Sequence, residues 1–163
     1  MPTKRTPPSR PRASAATRID IQVACAARGV PGERSLRALA RAAAAPGARI
    51  TLRVVGAAEG RRLNRIYRGR DYATNVLSFD YAAPGRGPRG APRGDIVLCH
   101  PVLVREARSQ RKTLAAHYAH VLVHGVLHLR GFDHQRAREA LRMERREARI
   151  LRRFGVADPY LVT

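Results

Sequence analysis

Apolar residues recur along the chain at two spacings, and each spacing predicts one kind of secondary structure. In residues 18–25 and 49–55, apolar and polar side chains alternate, which is typical of half-buried strands. Two shorter apolar runs, 75–79 and 95–99, indicate further strands. We therefore expect four strands.

Spacings of three and four between apolar residues predict helices in much of the remaining chain. The predicted helices cover residues 35–45, 59–68, 101–110, 113–129 and 135–154. Pro46 and Gly47 end the first of them. The last is heavily charged but keeps one apolar face, formed by Ala140, Met143, Ile150 and Phe154.

The order of these elements, β-α-β-α-β-β-α-α-α, predicts the fold class. It favours an α/β (α+β) domain with a small mixed four-stranded sheet, packed against helices around a buried central helix that bears histidines. We expect residues 18–163 to form this single domain. Residues 1–17, rich in Pro, Ser and Arg, predict a disordered basic tail, and residues 82–94 predict an irregular basic loop.

The helix predicted at residues 113–129 differs from the rest of the sequence. It has no charged side chain other than histidine, although the chain has 32 lysines and arginines, so we expect it to be buried. Five of the six histidines of the chain lie in or just after it, namely His117, His120, His124, His128 and His134. Residues four apart share one face of a helix, so His124 and His128 point toward one place.

Gly131 is suited to end this helix because glycine readily adopts positive φ, and His134 can then fold back toward His124 and His128. Three neutral imidazoles with an open fourth position are typical of a catalytic zinc site. A single histidine would indicate only a core position, but this spacing favours a metal site. Zinc is the expected ion, although nickel or another divalent ion also suits three imidazoles.

The spacing of the three histidines and Gly131 matches that of the metzincin proteases, with one difference. Those enzymes have Glu directly after the first histidine, where it acts as the general base. In this chain Gly125 occupies that position. A zinc hydrolase of another class, such as a peptidase, stays an alternative that Gly125 disfavours.

Composition indicates the partner and the compartment. The formal net charge of +20 favours a polyanionic partner, RNA first, although an Arg- and Ala-rich composition can also reflect genome bias. Two cysteines are too few for a disulfide framework or a cysteine-based zinc module, and they predict a reduced, cytoplasmic protein. No apolar run has the length of a membrane span, so we expect no membrane partner.

The run from His124 to His134, HGVLHLRGFDH, resembles the signature of the YbeY family of bacterial endoribonucleases. Other blocks resemble the family in the same order: 63–64 (LN) with 67–69 (YRG), 74–79 (TNVLSF), 94–97 (GDIV) and 158–160 (DPY). The basic tail, the 82–94 loop and the high net charge do not resemble the family core.

The resemblance implies a zinc ion on His124, His128 and His134, with Arg68 as a functional arginine that faces it. It also implies single-strand-specific RNA cleavage, 3′-end maturation of the 16S rRNA precursor and ribosome quality control. The ribosome, the GTPase Era and a small-subunit ribosomal protein are the partners that it suggests.

We name Arg68, His124 and Asp133 as the catalytic candidates. Arg68 offers a planar charged group that suits phosphate oxygens. Asp133 either transfers a proton or, next to a ligand, orients an imidazole. His120 and Asp95 are the alternative proton carriers.

Asn75 and Ser78, on the strand after Arg68, are candidate RNA-binding residues or fix the end of that strand. His100 and His117 are expected to be surface or structural residues. Either the neighbouring 2′-OH or a water activated by zinc can serve as the nucleophile. The sequence is also compatible with a non-catalytic RNA-binding or ribosome-assembly factor in which zinc only stabilises the fold.

Overall fold

Nine elements of secondary structure form the described part of the computed structural model, which comprises residues 16–26, 28–81 and 92–161. They are β1 (Arg18–Val23), α1 (Glu33–Ala43), β2 (Arg49–Val55), α2 (Ala57–Arg68), β3 (Val76–Asp80), β4 (Arg93–Cys99), α3 (His100–Ser109), α4 (Leu114–Leu129) and α5 (Ala137–Arg153). Their order is the predicted one, and their ends differ from the prediction by a few residues.

The two segments predicted to be irregular lie largely outside the described residues. Of the predicted tail, residues 1–17, only the last two are described, and Thr17 Oγ1 accepts a hydrogen bond from the backbone N–H of Gly47 at 3.1 Å. The predicted loop, residues 82–94, is described only from residue 92 onward. Arg93 and Gly94 were wrongly assigned to it, because they pair with β2 and extend β4.

The four strands form one mixed sheet in the order β1-β2-β4-β3. β1, β2 and β4 are parallel, whereas β3 runs antiparallel to β4 and lies at the edge. A parallel pair needs a long crossover connection. α1 supplies it between β1 and β2, while α2 and β3 lie between β2 and β4. The predicted mixed four-stranded sheet is confirmed.

The sheet buries apolar side chains on both faces. Leu52, Ile96 and Leu98 lie in the main core with residues of α1, α4 and α5. Val97 and Cys99, which alternate with these residues on β4, lie in a smaller cluster against which Leu63 of α2 packs. Because successive side chains point to opposite faces of a strand, α2 covers the face opposite α4.

α4 is the central helix and is buried along most of its length. It begins after Thr113, whose side chain accepts a hydrogen bond from the N–H of Ala116, and it ends at Leu129, before Gly131 at φ +87°. It contacts α1, α3, α5, β3 and β4, so an unpaired charge on it would lose its hydration. The predicted buried histidine helix is confirmed. Neither α4 nor any other described helix has the length and apolarity of a membrane span.

Gly125 allows α4 to approach the sheet closely. A Cβ at this position would lie 3.1 Å from Val76 Cγ2 and 3.3 Å from Ser78 Oγ. Ser78 Oγ also donates a hydrogen bond to the Gly125 carbonyl at 3.2 Å. A side chain at the position of the metzincin glutamate would therefore point into the sheet in this fold.

Candidate metal centre

Three imidazoles meet at the end of α4. His124 and His128 lie one turn apart on the helix, and His134 comes from the segment after Gly131. One ring nitrogen of each lies within 4.8 Å of those of the other two, and the Nε2 atoms of His124 and His128 are 3.0 Å apart. The structure thus brings together the three predicted ligands.

The separations of these nitrogens suit a divalent metal ion. Zinc binds imidazole nitrogen at about 2.0–2.1 Å, which places tetrahedral ligand atoms about 3.3 Å apart. That value lies between the 3.0 Å and 4.8 Å of the site. Burial, together with the nearby His124 and His134, lowers the pKa of His128, so its imidazole is neutral at pH 7, as a ligand must be. The residues present fit a zinc ion.

Glu147 of α5 orients the first of these imidazoles. Its carboxylate is fully buried and accepts a hydrogen bond from Nδ1 of His124 at 2.6 Å. With the proton on Nδ1, the lone pair of His124 is on Nε2, the atom that lies near His128. Glu147 thus has the orienting role that the sequence offered to Asp133.

The buried carboxylate of Glu147 has three hydrogen-bond donors among the described residues. Besides His124, these are the hydroxyl of Tyr160 and Nε2 of His120, which lies 3.3 Å away. Burial raises the pKa of Glu147, but the hydrogen bonds from His120, His124 and Tyr160 outweigh burial and lower that pKa to about 2. The carboxylate is therefore ionised at neutral pH and accepts the hydrogen bond from Nδ1 of His124.

Glu147 was not among the site residues predicted from the sequence, although its position on the last predicted helix indicates that it is buried. It follows Met143 by four positions and precedes Ile150 by three, so it belongs to the apolar face of the last predicted helix. A carboxylate on a buried face requires a partner, and the histidine-bearing helix is the natural place to find one. Tyr160 was noted only as part of the segment 158–160.

Asp133 lies next to the candidate ligand His134, but its side chain does not line the cavity that the three imidazoles share. Its Oδ1 accepts a hydrogen bond from the backbone N–H of His134 at 2.7 Å, which fixes the turn that presents that histidine. Its side chain borders a neighbouring cavity, together with Arg130 and Arg142. The geometry supports a positioning function for Asp133 more directly than proton transfer.

The other histidines singled out from the sequence have partners in the fold. His117 Nε2 lies 2.7 Å from a carboxylate oxygen of Glu106, and His100 Nδ1 lies 2.7 Å from the hydroxyl of Tyr118. Both imidazoles are buried, which agrees with the structural function considered for them and not with a surface position. His120, considered as a proton carrier, contacts Glu147.

A cleft of about 540 Å³ opens beside the three imidazoles. His124, His128 and His134 form one side of it, which we call the imidazole wall. The other side, the arginine wall, consists of the end of α2 and the edge strand β3 with the residues before it. Its members are Tyr67, Arg68, Thr74, Asn75, Val76, Leu77, Ser78 and Phe79.

Arg68 is the last residue of α2 and is exposed to solvent. Gly69, at φ +67°, ends the helix directly after it. Arg68 makes no side-chain hydrogen bond or ion pair with the described residues. Its positive charge is therefore available to an anion in the cleft.

Asn75 and Ser78 line the same wall but also support the fold. Asn75 Nδ2 donates to the two carboxylate oxygens of Glu106, at 3.1 and 3.3 Å. Ser78 Oγ donates to the carbonyl of Gly125. These contacts hold β3 and the residue before it in place, which agrees with the structural alternative for Asn75 and Ser78. Asp95, the other candidate proton carrier, accepts a hydrogen bond from Tyr81 and does not line the cleft.

The fold and the site together define a class, namely small α/β proteins with three histidines that could hold a metal ion beside a cleft lined by an arginine. Comparison with known proteins gives the family. A model described as Endoribonuclease YbeY matches residues 32–155, and the chain belongs to this family. The resemblance found in the sequence is confirmed.

Relatives of high similarity cover most of the chain. It is 64% identical over 115 residues to Endoribonuclease YbeY of Bordetella pertussis, covering 71% of each chain. It is 52% identical over 149 residues to Endoribonuclease YbeY of Alkalilimnicola ehrlichii, covering 87% of this chain and 90% of the relative. The solution structure of TM1509 from Thermotoga maritima has a TM-score of 0.52 at 19% identity, covering 90% of this chain and 99% of that one, and agrees in fold.

Proposed function

We propose that this protein is a zinc-dependent endoribonuclease that cleaves single-stranded RNA. The observation that supports this most directly is that three imidazoles line one cleft with Arg68, which has no side-chain partner in the described part of the chain. A metal centre that faces a guanidinium suits a phosphodiester, because both can contact its oxygens. The relatives described as endoribonucleases support RNA as the substrate.

His124, His128 and His134 would hold one zinc ion. When bound, zinc supplies a Lewis acid that activates water and withdraws charge from phosphate oxygens. Glu147 keeps the proton of His124 on Nδ1 and thereby keeps Nε2 free for the metal. Asp133 holds the backbone of His134 in the turn that completes the set.

Arg68 would bind the phosphate that is cleaved. Two of its N–H groups can donate to two phosphate oxygens, and its charge offsets the extra negative charge that develops in the transition state. Because the Arg68 side chain has no hydrogen bond or ion pair with any of the described residues, none of their contacts must break before it binds substrate. Asn75 Oδ1 and Ser78 Oγ, on the same wall, are proposed to contact the ribose hydroxyls.

We propose, from membership in the family, that the physiological substrate is the 3′ region of the 16S rRNA precursor. Ribosome quality control, the GTPase Era, a small-subunit ribosomal protein and a cytoplasmic location belong to the same proposal. The net charge of +20 supports a partner as rich in phosphate as the ribosome.

Cleavage of defined RNAs by purified protein of known metal content tests this function. We expect single-stranded RNA to be cut, double-stranded RNA of the same sequence to be spared, and His134→Ala to be inactive. His134 is exposed, so its removal leaves the buried contacts of Glu147 intact. A wild-type protein that binds zinc and RNA but cuts neither RNA would instead be a non-catalytic assembly factor. A 2′-deoxy substitution at the cut site would show whether the 2′-OH is the nucleophile.

A peptidase is the less favoured alternative for the same centre. By analogy with the metzincins, its general base would have to occupy position 125, where the Cβ of any residue other than glycine would come close to Val76 and Ser78. Cleavage of a casein substrate by the wild-type protein, lost in His134→Ala, would support that alternative.

A further inference from the structure

Tyr67 exposes an aromatic ring on the arginine wall. The residue is 63% exposed, yet it lines the same cleft as the three imidazoles. A large side chain left in water forgoes the favourable free energy that its burial would supply. A single exposed aromatic residue is ordinary, but one beside Arg68 in the candidate active site indicates a ligand.

The ring of Tyr67 has one aromatic neighbour among the described residues. It packs against Phe79 of β3, with ring centroids 4.8 Å apart and an angle of 59° between the planes. Phe79 is itself half-buried and packs against the smaller core cluster. Phe79 therefore fixes the orientation of the tyrosine ring, while most of Tyr67 stays open to the cleft.

The surroundings of Tyr67 are basic. Arg65 and Arg68 lie in the last turn of α2, and Arg70 follows directly after Gly69. An aromatic ring interleaved with arginines is the arrangement that binds single-stranded nucleic acid, in which cations contact the backbone and rings stack on bases. Neither feature is selective for a base sequence.

We propose that Tyr67 is a stacking platform for one unpaired base of the RNA strand whose phosphate Arg68 binds. This inference rests on the proposed function and adds the residue that selects single strands. A base inside a duplex has neighbours on both of its faces, so it cannot stack on a side chain. Only a strand with unpaired bases can place one on Tyr67 while its phosphate reaches the metal centre.

Single-stranded oligonucleotides that each lack one base near the cut site provide the test. For the wild-type protein, loss of the base at one position should lower kcat/KM about 5- to 150-fold, the value of one stacked base. For Tyr67→Ala the same oligonucleotide should be cut as well as the intact one. The variant should cut intact RNA more slowly by that factor, mainly through a higher KM, with an unchanged zinc content.

Two further variants separate stacking from a general loss of structure. Tyr67→Phe keeps the ring and should retain the wild-type profile. Tyr72→Ala removes a tyrosine that is 52% exposed, follows the same helix and does not line the cleft, so it should also behave as wild type. Circular dichroism of each variant checks the fold.

The inference is overturned if Tyr67→Ala suffers the same position-dependent penalty as the wild-type protein. It is overturned as well if Tyr72→Ala changes the profile as much as Tyr67→Ala. Binding of the same oligonucleotides, followed by fluorescence anisotropy, answers the question without cleavage. If no RNA is cut, the proposed function fails, but the binding data still decide whether a base stacks on Tyr67.

Discussion

The two walls of the cleft are built in opposite ways. On the imidazole wall, His124 is tied to a carboxylate that is itself fully buried and bonded to Tyr160. On the arginine wall, Tyr67 and Arg68 stand in solvent, and Arg68 has no partner among the described residues. His124 is thus fixed by a buried carboxylate, whereas Tyr67 and Arg68 project from the surface of the protein.

This contrast agrees with what we propose that each wall binds. A metal ion tolerates little variation in ligand geometry, so a site for it benefits from contacts that fix each ligand. An RNA strand is long, flexible and mostly recognised by its charge, so exposed groups on long side chains suffice. We expect changes in the imidazole wall to affect the metal and changes in the arginine wall to affect only RNA.

Replacing His134 by Ala should have the largest effect. Loss of one of the three proposed ligands should remove the proposed zinc ion, whose contribution of several kcal/mol corresponds to a fall in cleavage rate of about 10³-fold or more. Metal content by plasma mass spectrometry and RNA cleavage should fall together, with an unchanged circular dichroism spectrum. A variant that lacks zinc but cuts RNA at the wild-type rate would remove the metal from the mechanism.

Arg68→Ala should lower kcat/KM for RNA by about 10- to 1,000-fold, the scale on which a preorganised charged partner acts. Zinc content should not change, because Arg68 has no described contact with the imidazole wall. Arg65→Ala is the matched control, since Arg65 lies on the same turn of α2 but does not line the cleft. Equal losses in both variants would show that only general positive charge matters.

Glu147→Gln should weaken zinc binding about 10- to 100-fold, the usual effect of removing an orienting carboxylate. The amide has the shape of the carboxylate but no negative charge to favour the donor form of His124 Nδ1. Competition with a chelator measures the affinity. Tyr160→Phe, which retains the carboxylate, should weaken binding less, and the reverse order would assign the orienting function to the tyrosine.

Gly125→Ala should have the smallest effect. It should change the packing between α4, which carries His124 and His128, and β3. The added methyl group meets Val76 and Ser78, at a cost of about 1–3 kcal/mol, while alanine recovers about 1 kcal/mol of helix propensity. We expect a net loss of stability of about 0–2 kcal/mol, measured by urea denaturation. A clear gain in stability would show that α4 does not depend on this close approach.

The sequence predicted most of the fold because its patterns are local. The alternation through Ile50 and Leu52, and the uncharged run of α4, each report the surroundings of their own segment. The start of β4 was misplaced because Arg93 and Gly94 follow a segment rich in glycine and proline. Their place in the sheet depends on pairing with β2, which no local pattern reveals.

The candidate site was predicted in part for the same reason. His124, His128 and His134 lie close in sequence, so helical geometry and one turn suffice to bring them together. Glu147 comes from another helix, and its partnership with His124 depends on how α5 packs against α4. Asp133 was a reasonable candidate for orienting an imidazole because of its position in sequence, but its carboxylate bonds to the backbone.

Glu147 and Tyr160 follow the three histidines in the chain and are therefore synthesised after them. Translation delivers α4 with two of its imidazoles first, then His134, and only later α5 and the segment that contains Tyr160. Domains fold as units during synthesis once their parts are available. Before Glu147 has left the ribosome, the chain lacks the group that sets the tautomer of His124. We therefore expect the candidate metal site to form late in folding.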